Sequence, residues 1–163
     1  MSRSRNTFWA IGLLVLIIGG LGALSLLSEE APQPIAQAAA NTIVVHKSPT
    51  CGCCGKWVDH LKAEGFAVEV RDEEDMNAVK SRLGIPARFA SCHTATVGGY
   101  LIEGHVAAAD IKRLLQEKPK AQGLAVPGMP VGSPGMEVGD KRMPYETLLF
   151  SGEVATTYAR HGE

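Results

Sequence analysis

Apolar residues recur at every second position in some stretches of this chain and at every third or fourth in others, and the two periods predict its elements. Thr42 to His46 (TIVVH) is a β-branched run that leads into the loop KSPT, as a strand ending in a turn does. From Gly55 onward, Trp57, Val58 and Leu61 fall on one helical face, Lys56, Asp59, Lys62 and Glu64 fall on the other, and Gly65 is a natural stop. Phe66, Val68 and Val70 then alternate with Ala67, Glu69 and Arg71, which is the period of a strand. Strand, helix and strand in this order form a βαβ unit, with parallel strands and a right-handed crossover expected. The acids of Asp72 to Asp75 (DEED) are read as partners of a helix N-terminus, opening a second helix that runs through Leu83 before Pro86.

The next stretch fixes a register. Thr94 to Val97 and Tyr100 to Glu103 flank Gly98-Gly99, a two-residue turn of the kind that closes a tight hairpin. Val97 then faces Tyr100 and Ala95 faces Ile102. Continued outward, the same register sets Cys92 across from His105, where opposed Cα atoms lie about 5 Å apart. Ala107 to Glu117 (AAADIKRLLQE) follows as an amphipathic helix with Ile111, Leu114 and Leu115 as its stripe. Lys118 to Pro144 carries too many Gly and Pro for regular structure, and Tyr145 to Phe150 with Val154 to Tyr158 reads as a last strand pair or extended cover.

The N-terminal segment is of a different kind. Arg3 and Arg5 precede Phe8 to Leu27, an uncharged apolar run about as long as a bilayer-spanning helix requires. Positive residues ahead of such a run hold the N-terminus in the cytoplasm and export the chain beyond it. Residues 1–27 are thus read as a transmembrane anchor or a signal sequence, with the small residues Ala36 to Ala40 offering a cleavage region in the second case. Residues 28–41 form a tether rich in Ala and Pro, and residues 42–163 one folded domain. A formal net charge of -1 supplies no basic field for a nucleic-acid backbone, so no nucleic-acid partner is expected. No nucleotide loop, Ser-His-Asp set or paired-carboxylate motif stands out.

Export changes what four cysteines mean, because two structural disulfides are the default in an oxidising compartment. Three of the four crowd into TCGCCGKW as Cys51, Cys53 and Cys54, and a bridge between neighbours is strained. Cys51 and Cys54 have the CxxC spacing, with one thiol outside and one inside the first turn of the helix, whose dipole favours a thiolate. Combined with the βαβ unit, the hairpin and the helix after it, this is the layout of a thioredoxin-like α/β domain, in which Cys51 and Cys54 are the catalytic pair if the site is redox active. Cys53 is one sulfur too many for a simple dithiol exchanger. With Cys92 it completes a soft four-sulfur donor set. Zinc accepts four thiolates, yet its usual two separated CxxC knuckles are missing, and Cu(I) suits crowded thiolates better.

Other donors border this cluster. His93 follows Cys92 and His105 lies opposite it, so each is a candidate ligand or a packed histidine. His46 at the end of the first strand is read as structural, and His60 and His161 as exposed. Pro127-Gly-Met129 recurs as Pro134-Gly-Met136, so a long loop presents thioethers at intervals, either to pin the loop to the core or to reach the sulfurs.

CGCC followed by KW, SCHTATVGGYLIEGHV with the helix AADIKRLL, then GLAVPGMPVGSPGME and PYETLLF resemble the exported copper-resistance family of the CopG type, over roughly residues 42–160. The resemblance implies a periplasmic thioredoxin-like protein that binds copper through its cysteines, contributes to copper resistance and interconverts copper oxidation states. It implies ligation by Cys51, Cys53, Cys54 and Cys92, with His93, His105, Met129 and Met136 as additions. Partners would be copper ions, periplasmic copper-handling or electron-transfer proteins, and the inner membrane. One departure is Ala107, where the family pattern has proline after GHV, and it bears on the helix start more than on ligation.

Overall fold

In a computed structural model, the described residues, 42–162, form a mixed seven-stranded sheet with helices on both faces. The elements are β1 (Thr42–Lys47), α1 (Gly52–Ala63), β2 (Ala67–Asp72), α2 (Met76–Leu83), a 3-10 turn (Ala87–Phe89), β3 (His93–Val97), β4 (Tyr100–Glu103), α3 (Ala108–Glu117), β5 (Gly123–Ala125), β6 (Tyr145–Ser151) and β7 (Val154–His161). Their order across the sheet is β2-β1-β3-β4-β5-β6-β7. The expected anchor (residues 1–27) and tether (residues 28–41) lie outside the described residues. Among the described residues no helix is long and apolar enough to cross a membrane.

β1 and β2 pair in parallel around α1, as the βαβ reading requires. β3 and β4 pair in the expected register, Thr94 with Glu103, Ala95 with Ile102 and Val97 with Tyr100, and β1 lies antiparallel to β3 on the other side. Successive strand residues point to opposite faces, and the core divides accordingly. Ile43, Val45, Ala95, Ile102 and Leu124 pack with Trp57 and Leu61 of α1 and with Ile111 and Leu114 of α3. Ala125 and Phe150 pack on the other face with Ile85 and Phe89.

The differences from the sequence reading are local. α1 begins at Gly52, three residues before the expected Gly55, because Cys53 and Cys54 themselves occupy its first turn. Only Asp75 of the DEED run serves a helix N-terminus, accepting from the Asn77 and Ala78 amides. Asp72 ends β2 and pairs with Lys47 at 2.7 Å, while Glu73 pairs with His46 at 2.6 Å. β5 was not expected inside the Gly- and Pro-rich stretch. Its three residues are too few to show a period, and Gly123 is required there because a Cβ would collide with the Leu101 carbonyl. β6 and β7 form a bulged antiparallel pair, and β7 extends to His161.

This division of the core predicts where truncation matters. Ile102→Ala, fully buried at the sheet centre, should lower unfolding free energy by about 2–5 kcal/mol in urea denaturation. Val154→Ala, 71% exposed on the edge strand, should change it by no more than about 0.5 kcal/mol.

Candidate metal centre

Two chain segments far apart in sequence meet at the N-terminus of α1. Cys51 is its N-cap in an extended conformation, with its amide held by the Ser48 carbonyl at 3.1 Å, and Cys53 and Cys54 follow within the first turn. Cys54 turns into the core and is fully buried, whereas Cys51 and Cys53 are half-buried. Cys51 and Cys54 form a disulfide, and Cys53 and Cys92 are free thiols. The Cys53 sulfur lies 3.5 Å from that of Cys51 and 3.9 Å from that of Cys92. All four sulfurs lie within 4.8 Å of one another, and a second group of the same compactness joins Cys92 to His93 and His105. Cys92 belongs to both groups.

The hairpin delivers the second segment. Cys92 and His105 sit just beyond the last ladder pair, and the Cys92 sulfur is 3.1 Å from Nε2 of His105 and 3.3 Å from Nδ1 of His93. Nδ1 of His105 donates to the Pro134 carbonyl at 2.8 Å. A carbonyl can only accept, so the proton of neutral His105 is on Nδ1 and the lone pair of Nε2 faces Cys92. Metal-ligating imidazoles are commonly oriented by an outer hydrogen bond of this kind, so His105 has the geometry a ligand would need. The His93 ring is fully buried between Trp57, with ring centroids 4.3 Å apart, and His105 at 4.9 Å. Trp57 is itself anchored by its indole N–H on the Val106 carbonyl, and Nε2 of His93 has no hydrogen-bond partner among the described residues.

Burial keeps Cys92, His93 and His105 neutral in the absence of metal. It pushes the Cys92 thiol up to about 11, with further upward contributions from the neighbouring Cys53. It holds His93 well below the ordinary imidazole value, aided by the charges of His105 and Lys80, and it lowers His105 as well. Neutral imidazoles keep lone pairs available, and a metal ion would displace the thiol protons on binding. The donors are sulfur and imidazole, and no carboxylate belongs to either group. Such a set suits soft and borderline ions, Cu(I) among them, more than hard cations.

The structure brings the loop of the two PGM repeats against this site by its backbone. Pro134 receives His105, and Gly135 packs so tightly on α1 that a Cβ there would come within 2.8 Å of the Cys53 carbonyl and the Trp57 amide. Gly128 donates to the Ala90 carbonyl at 3.3 Å, beside the Cys92 turn. Met136 is half-buried and Met129 is 53% exposed. Two other histidines are not the exposed residues expected. His60 is half-buried and accepts the Ala108 amide at the start of α3, and His161 stacks on Tyr145 and meets the buried Asp110 at 2.8 Å. His46 is buried, as expected, and paired with Glu73.

Comparison with known proteins finds one family model and solved structures similar to this chain. A family described as "Protein of unknown function, DUF411" matches residues 89–136. Two solved structures, described as "Copper resistance protein copG- Form 1" and "Copper resistance protein copG- Form 2", are 48% and 49% identical and superpose with a TM-score of 0.70 in each case. The first comparison covers 75% of this chain and 98% of the other, and the second 74% and 97%. No curated protein matches the chain.

The buried, neutral site predicts a particular pH behaviour for metal-free protein with its disulfide closed. Alkylation of Cys92 by iodoacetamide should follow a titration centred near 11, and a curve centred on the ordinary thiol value of 9.0 would contradict the account. Stability should fall between pH 9.0 and about 11, where the unfolded thiol ionises and the native one holds its proton. It should also fall as pH drops below 6.5, where the unfolded imidazoles bind protons that native His93 and His105 refuse. Urea denaturation across pH checks both limbs, and Cys92→Ser should flatten the alkaline one.

Proposed function

Because the chain belongs to the CopG-type copper-resistance family, we propose that it is an exported copper-binding protein, holding Cu(I) in a cysteine-rich site and contributing to copper resistance. The observation that carries this reading is the gathering of four sulfurs within 4.8 Å of one another, with two imidazoles against one of them. Cys51, Cys53, Cys54 and Cys92 are the principal ligands in this proposal. His105 and His93 add nitrogen donors beside Cys92, and Met129 and Met136 are thioether donors on the adjoining loop. Two donor groups sharing Cys92 offer room for more than one ion.

Cys51 and Cys54 bind copper as thiolates only after a two-electron reductant such as an external dithiol opens their disulfide, itself becoming oxidised to a disulfide. That requirement supports the redox part of the proposal within a thioredoxin-like site. Two thiols reduce two Cu(II) to two Cu(I), the two sulfurs join as a disulfide, and two protons are released. A periplasmic location, with residues 1–27 as an inner-membrane anchor or cleaved signal, rests on Arg3, Arg5 and the apolar run. Periplasmic copper-handling or electron-transfer proteins would then be the partners.

A second reading, a periplasmic thiol-disulfide oxidoreductase, is favoured by one feature. Of the two bonded sulfurs, that of half-buried Cys51 belongs to the more accessible residue, the asymmetry of an attacking and a resolving cysteine. Trapping a mixed disulfide on Cys51 in Cys54→Ala, with activity that survives Cys53→Ser and Cys92→Ser, would select this reading over copper binding.

For the leading reading, protein reduced without oxygen and loaded with Cu(I) should retain at least stoichiometric copper after desalting. Cys53→Ser and Cys92→Ser should each weaken copper against a chromogenic Cu(I) chelator by more than about tenfold, since even outer-sphere substitutions cost 10–100-fold. Absence of retained copper in the unmodified, reduced protein would sink the proposal.

A further inference from the structure

Behind the metal centre, on the opposite face of the sheet, lies a charged network that the sheet itself does not require. Thr94 and Glu103 are paired across β3 and β4, and both are fully buried. One carboxylate oxygen of Glu103 accepts from the Thr94 hydroxyl at 2.6 Å. The other accepts from the ammonium of Lys80, on α2, at 2.5 Å and from the backbone N–H of Ser91 at 2.6 Å. Lys80 also donates to the Thr94 hydroxyl at 2.8 Å. The buried carboxylate is thus neutralised and hydrogen-bonded on both oxygens.

Such a network is a poor way to gain stability. Apolar residues of similar volume generally serve a sheet face as well as a buried ion pair does, and Ala125, Phe150, Ile85 and Phe89 pack in that manner on the same face. What distinguishes the network is its one contact with backbone outside the regular elements. Ser91 precedes Cys92, ahead of the first residue of β3, where no ladder hydrogen bond fixes the chain.

The same residue is held at two further points. Its hydroxyl donates to the Gly128 carbonyl, and it packs on Gly104, where a Cβ would come within 2.6 Å of the Ser91 side chain. Gly104 in turn donates its amide to the His93 carbonyl at 3.1 Å. The residues on either side of the Cys92–His105 contact are therefore clamped to each other, and the clamp closes on the Glu103 carboxylate.

We infer that Glu103, supported by Lys80 and Thr94, is the positioning residue of the metal centre, holding the Ser91-Cys92 turn so that the Cys92 thiol meets Cys53 and His105. The inference deepens the copper-binding proposal and rests on it for its purpose, but its geometry is testable without copper. While the Cys51–Cys54 disulfide is closed, Cys53 and Cys92 are the free thiols, 3.9 Å apart. A trivalent arsenical such as phenylarsine oxide is captured by two neighbouring thiols together, so its affinity reports their relative placement.

The experiment measures phenylarsine oxide affinity on the disulfide-intact protein, with circular dichroism to establish that each variant is folded. The parent should bind one equivalent. Glu103→Gln should bind at least tenfold more weakly, Thr94→Val should show a smaller loss, and the surface change Glu146→Gln should match the parent. A folded Glu103→Gln with parental arsenical affinity overturns the inference, even if its melting temperature falls. So does a parent that captures no arsenical. If Glu103→Gln does not fold, Thr94→Val decides in the same two directions. A parent that retains no Cu(I) when reduced, but shows the arsenical losses, retires the copper reading and leaves the positioning inference standing.

Discussion

The antiparallel pairing of Thr94 with Glu103 and of Ala95 with Ile102 determines where the two residues just past the ladder fall, and those positions lead to Cys92 and His105. A slip of one residue in this register would turn every side chain of one strand to the opposite face. If that strand were β3, Ala95 would leave the core and His93 would leave its stack on Trp57. The hydrophobic core and the candidate metal centre therefore depend on the same register, which is also the register dictated by the Gly98-Gly99 turn. The helix contribution is independent. α1 brings three cysteines to its own N-terminus, and the parallel βαβ unit sets that terminus beside the start of β3.

The electrostatics derive from this burial. Cys92 lies where a thiolate is disfavoured and imidazoles stay neutral, so in metal-free protein Cys92, His93 and His105 are uncharged. A soft cation changes that balance by supplying the charge that stabilises thiolates. The disulfide adds a second control, since its closed form removes Cys51 and Cys54 from the donor set and leaves Cys53 and Cys92. On the proposed reading, copper capacity and thiol redox state are linked through shared atoms.

Much of this was legible in the sequence because local signals agreed with tertiary packing. The hairpin register came from two glycines between β-branched and apolar runs, and it led directly to the Cys92–His105 contact of 3.1 Å. The parallel unit came from period alone. What stayed hidden depends on partners distant in sequence. β5 is a three-residue strand made by its neighbours, with Gly123 fitted against Leu101. Which cysteines join as the disulfide was left open by spacing that fits a redox pair and a ligand set equally. Glu103 reads as the polar end of a strand, and its only hint is a carboxylate in a strand that lies in the sheet interior. His161 pairs with Asp110, 51 residues away, which no local pattern announces.

The central claim is that the sulfurs around the α1 N-terminus, with Cys92 between them and the imidazoles, form a Cu(I) site. Copper K-edge X-ray absorption on reduced, copper-loaded protein tests it most directly, because the edge reports oxidation state and the fine structure reports the ligand atoms. The account predicts a Cu(I) edge and a first shell dominated by sulfur, with nitrogen as the minor component. A Cu(II) edge, or a first shell of oxygen and nitrogen without sulfur, would contradict it.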